Sequence, residues 1–389
     1  MQRAVPIVAV LAIAACSSNT GANSLPSGGG NIGTYAPVAG RQISLPASSF
    51  HPVCTGSRIN QAQCDVLAGP AVEPAIGGIT QPEILQAYNL KPTGGKGQIV
   101  AIVDAYDNPD AASDLAAYRS YFGIPAATFT KYNQTGQTSN YPAGNTGWGL
   151  EEDLDIEMVS VSCPLCTIYL VEANSNGSND LSAAEAEAVK LGATVVSNSY
   201  DGGGMVQSDF SQKGITYVAS AGDGAYGINY PASYDTVVSV GGTVLITAKG
   251  KRGYSEVIWP DSGAGCSTQP KPSWQKDPGC KNRTANDVSA VASNVAEYDT
   301  YGHSGWFTVA GTSVSSPLIG GFFGEAGNST KQDGGQNLWG KKAQKHLYPV
   351  LTGSDGSCGG SYLCTAGTKQ YGNYSGPGGW GSPNGDKAF

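Results

Sequence analysis

Charge is scarce in this chain. Only 13% of its 389 residues are Asp, Glu, Lys or Arg, and the balance is acidic, with a formal net charge of −8 at pH 7. Nucleic-acid backbones are held by clustered Lys and Arg, and no such run occurs, so nucleic acid is excluded as a partner. The densest basic stretch, KGKRG at 249–253, reads as a solvated turn. Histidine is scarcer still: His51, His303 and His346 are the only 3. A serine hydrolase of the usual kind needs an imidazole facing its nucleophile. The H-G-T string and the G-x-S-x-G elbow that accompany such sites are both missing. Beyond residue 16 no apolar stretch is long enough to span a bilayer as a helix.

What the chain does have is glycine, 55 residues of it, and 40% hydrophobic residues, the profile of one large globular domain with a sizeable core. Residues 1–16 combine one arginine with a short apolar stretch and end in Ile13-Ala14-Ala15-Cys16. That pattern reads as a secretory signal with a lipobox-like end, Cys16 being the candidate for lipidation. Residues 17–47, rich in Ser, Gly, Asn and Pro, read as a flexible linker, and 48–79 as an N-terminal approach to the main domain at 80–389. With Cys16 set apart, eight cysteines remain in sequence-local pairs: Cys54 with Cys64, Cys163 with Cys166, Cys266 with Cys280, and Cys358 with Cys364. Four local disulfides are expected, out of about a hundred possible pairings. The C-x-x-C at 163–166 has a competing reading as a redox or zinc motif. No second C-x-x-C or nearby histidine accompanies it, and it leads into a strand rather than a helix.

From residue 80 onward, buried-strand runs alternate with helical patterns. GQIVAIVDAYD (98–108), TIYLVEA (167–173), ATVVSNSY (193–200), ITYVASAGD (215–223) and DTVVSVGGT (235–243) read as strands. NPDAASDLAAYRSYFG, GLEEDLDIEMVSVS and DLSAAEAEAVKLG read as helices. The alternation predicts an α/β fold with a mostly parallel sheet and helices on both faces, its ligands gathered at the carboxyl ends of the strands. Residues 246–310 are rich in Gly and Pro, with weak periodicity.

AGTSVSSPLIGG, residues 310–321, sets Ser313 in a small-residue turn ahead of an apolar run, as a nucleophile would be presented. Its base is the open question. His303 is ten residues upstream, but closeness along the chain does not place two side chains across a cleft. In WGLEEDLDIEMVS the helical period sets Glu151 and Asp155 one turn apart, close to an apolar stripe, while Asp153 and Glu157 share an arc with Ser160 that reads as solvated. Acidic residues in a first helical turn complement the helix dipole, which accounts for Glu151, Glu152 and Asp153 but not for Asp155. Two close carboxyls in apolar surroundings should share a proton, and such a pair can accept one from a serine. A third acid, Asp223 in ASAGDGAYG, falls at a strand end, where it forms either an Asx turn or, if protonated, a donor for an oxyanion.

Together the three sites resemble the sedolisins, the serine-carboxyl peptidases with a subtilisin-like three-layer fold. The nucleophile motif is matched by Gly311-Thr312-Ser313 with Pro317, the E-x-x-L-D pair by Glu151, Leu154 and Asp155, and the oxyanion motif by Asp223 followed by YPAS (230–233) and VGGT (240–243). The resemblance runs from about residue 80 to the C-terminus with the motif order kept. It implies that Ser313 attacks a peptide carbonyl, Glu151 acts as base and then acid, Asp155 shares its proton, and protonated Asp223 stabilises the oxyanion. Ser199, Tyr200, Gly222 and Thr312 are the implied substrate-binding positions, although Ser199-Tyr200-Asp201 departs from the family's Ser-Trp-Gly. The family's long folded propeptide has no counterpart here, which speaks against activation by pro-segment removal. Its calcium-site aspartates are replaced at Pro349-Val350 and around Gly372-Asn373, so no metal and no other cofactor is expected. The implied protein is an extracytoplasmic, acid-acting, monomeric endopeptidase, taking protein or peptide substrates and meeting a membrane only through a lipid on Cys16. Two alternatives stand beside it: a catalytically silent peptide-binding lipoprotein of the same fold, and a hydrolase that uses His303 near neutral pH.

Overall fold

Short runs of Val, Ile and Ala that are apolar on both faces belong in the interior of a sheet covered on each side, and Val100, Ala101, Ile102 and Val103 are all fully buried. The computed structural model describes residues 49–54, 60–71, 76–202 and 204–389. The signal segment with Cys16 and the linker up to residue 47 lie outside the described residues.

Along the chain come the strands β1 (His51–Pro52), β2 (Ala62–Cys64), β3 (Leu67–Ala71), β4 (Ile99–Ala105), β5 (Thr128–Asn133), β6 (Thr167–Ala173), β7 (Val195–Asn198) and β8 (Tyr200–Gly202). They continue with β9 (Thr216–Ser220), β10 (Val237–Thr247), β11 (Tyr254–Ile258), β12 (Gly265–Pro270), β13 (Asn282–Ala285), β14 (Val288–Val291), β15 (Ser293–Asp299) and β16 (Gly305–Ala310). The helices that matter here are α1 (Gln81–Ala87), α2 (Ala111–Tyr121), α3 (Thr146–Ser162), α4 (Ser178–Lys190) and α5 (Thr312–Ala326).

The central sheet runs β11-β10-β9-β7-β4-β6-β5, with β14 also on β10. Every pairing is parallel except that of β10 with β11. After β4 the chain builds one side of the sheet (β5, β6) and after β6 the other (β7, β9, β10), so a crevice opens at the carboxyl ends of β4 and β7. A second, antiparallel sheet runs β1-β3-β16-β15, and β2 pairs with β8 by itself.

α3 is capped by Asn145, whose side chain accepts from the Gly147 and Trp148 amides at 3.0 and 3.1 Å. α3 and α5 pack directly on one another, and α4 covers β4 and β6 on the opposite side of the sheet. Gly321 makes the α3–α5 approach possible: a Cβ there would lie 2.0 Å from Ser162 Oγ, which donates to the Leu318 carbonyl at 2.9 Å.

One expectation needs correction. The face of α3 carrying Asp153, Glu157 and Ser160 is not solvated, and all three are fully buried. α2 and β15 cover it: Arg119 donates to Ser160 Oγ at 2.7 Å, Asn108 to Asp153 at 2.7 Å, and the Tyr298 amide to Glu157 at 3.3 Å. Residues 246–310, weakly periodic in sequence, form β11 to β16. Most of those strands are short, and several, such as β14 with four buried residues, are covered on both faces and show no alternation.

Replacing Gly321 by Ala is expected to push Ser162 off its hydrogen bond and separate the two helices. The cost should be about 1–3 kcal/mol, read as a lower urea midpoint at pH 4 with an unchanged slope.

Candidate active site

Ser313 is the second residue of α5, preceded by Gly311 at φ 150°, a conformation L side chains rarely adopt. Pro317 stands four residues on and has no N–H to return to the Ser313 carbonyl, which is left outside the helical ladder. The Ser199 hydroxyl approaches that carbonyl at 3.5 Å. Ser315 and Ser316 fix the helix laterally, through the Ala290 and Val291 carbonyls at 3.0 Å each and through Ser197 Oγ at 3.0 Å. The nucleophile candidate therefore sits on a rigid element at the mouth of the crevice.

Glu151 and Asp155, one turn apart on α3, reach the same point and are fully buried. Burial pushes the Glu151 carboxyl well up, the nearby charges of Asp155 and Asp104 push it further, and the Ser313 hydroxyl partly opposes them. Asp155 is raised by burial and held back by hydrogen bonds from Ser199 and Glu151. Ser199 Oγ donates to Asp155 Oδ1 at 2.7 Å. Asp155 Oδ2 and both Glu151 oxygens have no hydrogen-bond partner; a proton held between the two acids would engage Asp155 Oδ2 and one Glu151 oxygen and leave the other Glu151 oxygen free. Ser313 Oγ itself donates to the Ser199 carbonyl at 3.3 Å.

Asp223 follows β9 and meets Thr312, the residue before Ser313. Its Oδ1 accepts from the Thr312 amide at 2.8 Å and the Thr312 hydroxyl at 2.9 Å, and Thr312 Oγ1 in turn accepts from the Gly222 amide at 3.1 Å. Oδ2 is buried and unpartnered. Burial raises Asp223 well above the ordinary carboxyl range, against the two Thr312 hydrogen bonds, so the free oxygen is the one that carries a proton in acid.

Ser313, Glu151, Asp155, Asp223, Ser199, Gly222 and Thr312 are thus brought to one place. Tyr200 joins them only through its backbone in β8, because its buried hydroxyl turns away to Asn198 Oδ1 at 2.8 Å. His303 does not join them: its Nδ1 pairs with Asp299 at 2.6 Å and its ring stacks on Phe307. Two neighbours were missed by sequence reasoning. Asp104, next to last in β4, is fully buried with both oxygens unpartnered, and the only signal was an aspartate inside the apolar run IVAIVDA. Asp65, also buried, donates its amide to the Ser199 carbonyl at 3.1 Å and accepts from the Ser313 amide at 3.2 Å.

All eight cysteines outside the signal pair as Cys54–Cys64, Cys163–Cys166, Cys266–Cys280 and Cys358–Cys364. The C-x-x-C is therefore disulfide-bonded, not a zinc ligand pair. Pro349, Gly372 and Asn373 line a cavity with Gln344, Leu347 and Trp380. Elsewhere Asp114, Asp153 and Asp299 approach within 4.8 Å of one another, but each takes hydrogen bonds from protein donors: Thr300, Asn108 and Tyr301 with His303.

A model of the subtilase family (Peptidase S8) matches residues 135–349, and the chain belongs to that family. Within it, the carboxyl-lined site and the relatives kumamolisin and sedolisin point to the sedolisins. Kumamolisin of Bacillus sp. (strain MN-32) is 28% identical over 282 residues, 62% of this chain and 50% of that protein. Sedolisin of Pseudomonas sp. (strain 101) is 24% identical over 326 residues, 69% of this chain and 53% of that protein. The chain spans about half the length of these curated relatives. Among solved structures, Pseudomonas sedolisin, a serine-carboxyl proteinase complexed with two molecules of pseudo-iodotyrostatin, matches with a TM-score of 0.68 at 24% identity. That match covers 81% of this chain and 97% of that one, and shows the subtilisin-like fold.

The buried carboxyls set the pH dependence of stability. Burial is the main cause that raises Glu151, Glu152, Asp153, Asp155, Glu157, Glu185 and Glu297, and Glu172 reaches about 8 despite Lys131. Each binds its proton more tightly folded than unfolded. Its stabilising contribution is complete below the ordinary carboxyl range and is lost as pH rises through the folded value. The melting temperature is expected to be highest near pH 4 and to fall steadily to pH 8, measured by calorimetry. Glu297→Gln, away from Ser313, should flatten that fall while changing little at pH 4.

Proposed function

We propose that the chain is an extracytoplasmic serine-carboxyl endopeptidase that hydrolyses peptide bonds in acid. The observation that carries this reading is that Ser313 meets the buried Glu151–Asp155 pair and, through Thr312, a half-satisfied Asp223, while His303 pairs with Asp299 instead.

In the proposed reaction the Ser313 hydroxyl swings from the Ser199 carbonyl to Glu151, which takes its proton as Oγ attacks the substrate carbonyl. Asp155, held by Ser199, keeps Glu151 from carrying a full buried charge before that step and shares the proton after it. The oxyanion is received by two donors, the Ser313 amide and the proton on Asp223 Oδ2. Glu151 then protonates the leaving amine, and water repeats the sequence to hydrolyse the acyl-enzyme.

Thr312 fixes Asp223 through Oδ1, so that only Oδ2 is left to donate. Substrates are proteins or peptides laid along β8, and no metal or other cofactor is required. Four disulfides support an oxidising compartment. No helix among the described residues is long and apolar enough to cross a membrane. Anchoring through a lipid on Cys16, and action as a monomer, are parts of the proposal that rest on sequence alone.

Denatured casein is expected to be cut at pH 4 and left whole at pH 7, because rising pH strips the proton from Asp223 and ionises the Glu151–Asp155 couple. Ser313→Ala should abolish cutting. Glu151→Gln should lower it by about 10²–10⁴-fold and Asp223→Ala by about 10²–10³-fold, while His303→Ala should leave it near wild type. No Ser313-dependent fragments at pH 4 would favour the silent peptide-binding alternative, and an optimum near neutrality would point to His303.

A further inference from the structure

Where the family has Ser-Trp-Gly this chain has Ser199-Tyr200-Asp201, so a carboxyl group stands at a position that otherwise has no side chain. Asp201 is the middle residue of β8, opposite Gln63 in the two-stranded ladder with β2. Residues directly opposite in an antiparallel pair carry their side chains on one face, and so do residues two apart along a strand. The Ser313 amide is met by the carbonyl of Asp65, two residues on from Gln63, at 3.2 Å. Any peptide laid along β8 that brings a carbonyl to the Ser313 amide in this way turns the side chain of the same residue to the face of Asp201.

Asp201 leans from β8 across to the turn that carries Asp223. A Cβ on Gly222 would lie 3.0 Å from Asp201 Oδ2, and Asn229 Nδ2 donates to that oxygen at 2.7 Å. Asn229 thus fixes the carboxyl group by one oxygen and leaves its charge unanswered. Ser220 lies on the same side, its Oγ donating to Asp65 Oδ2 at 2.6 Å. The charges that bear on Asp223 here, from Asp201 and Asp261, are both acidic, and Asp65 is pushed up in turn by Asp201 and Asp223. Among the described residues, none of these four acids is in an ion pair. A cation brought in by a substrate would meet an acidic wall with no protein cation to compete.

We propose that Asp201 makes the protein select Lys or Arg immediately before the bond it cuts. The inference rests on the peptidase reading above and adds to it a preference among substrates. An ammonium or guanidinium group reaching the Asp201 carboxylate forms a charge-assisted hydrogen bond in a half-buried place, where such a pair is screened less than at an open surface.

The preference has its own pH dependence. Burial raises the Asp201 carboxyl and the Asn229 hydrogen bond opposes it, while Asp65 and Asp223 face it with charge of the same sign. Asp201 therefore ionises late within the acid range, and a neutral carboxyl group attracts a cation weakly. Selection for Lys and Arg should strengthen from about pH 3 to about pH 6, across the carboxyl range, even as the overall rate declines.

The full-length chain can be assayed with fluorogenic peptides that differ only in carrying Arg, Lys, Leu or Glu before the scissile bond. At pH 5 the Arg and Lys peptides are expected to exceed the Leu peptide at least about tenfold in kcat/KM, with a smaller margin at pH 3. Asp201→Asn, which keeps an acceptor for Asn229, should bring the Arg-to-Leu ratio near one and remove its pH dependence, and Asp201→Glu should retain most of it. Each ratio is taken within one enzyme, so a loss of folded protein does not move it. A wild-type preference for Leu or Glu, or an Arg-to-Leu ratio that Asp201→Asn leaves in place, overturns the role of Asp201 alone. Failure to cut all four peptides and casein overturns the peptidase reading with it.

Discussion

Two carboxyls buried one helical turn apart, in a place where water cannot reach them, are the constraint from which the site follows. Glu151 and Asp155 are each fully buried, and two bare charges a helical turn apart in that environment would repel across a poorly screening medium. Keeping the proton removes the repulsion and leaves Glu151 poised to exchange it with a hydroxyl. Everything around the couple serves that state: Ser199 binds Asp155 on one oxygen only, and Asp104 adds a further acid that discourages ionisation.

The same logic spreads beyond the Glu151–Asp155 couple. α3 carries Glu151, Glu152, Asp153, Asp155 and Glu157 in seven positions, all shielded from solvent, and β15 sets Glu297 and Asp299 within the same region. A helix so acidic is tolerable in an interior only where its acids are mostly neutral. The fold and its proposed chemistry therefore share one requirement, and a change of pH that silences the site also loosens the packing of the helix that bears it. Asp223 obeys the rule from the other direction, its single free oxygen being useful only while protonated.

Much of this was legible in the residues. Apolar runs such as QIVAIVD and TIYLVEA announce strands covered on both faces, and the i, i+4 spacing of Glu151 and Asp155 puts two acids on one arc of a helix. Ser313, with glycine before it and proline after it, reads as a presented side chain for reasons that the structure makes physical: Gly311 tolerates a backbone angle others avoid, and Pro317 releases the Ser313 carbonyl. Contacts made by chain return were not legible. Nothing local says that α2 and β15 bury Asp153 and Glu157, or that β2 lies along β8 and brings the Asp65 carbonyl to the Ser313 amide. Asp104 was hidden in another way, as a lone acid in an apolar strand whose partners come from other elements.

The disulfides join near neighbours in sequence, at separations of 3, 6, 10 and 14 residues. Exchange of such bonds is initiated by thiolate, a species that almost vanishes several units below the usual thiol pKa. In an acidic medium these four links consequently cannot be shuffled by passing thiols, whereas ion pairs such as Lys131 with Glu172 weaken as their acids take up protons. The covalent staples would then be the part of the architecture whose strength does not vary with acidity.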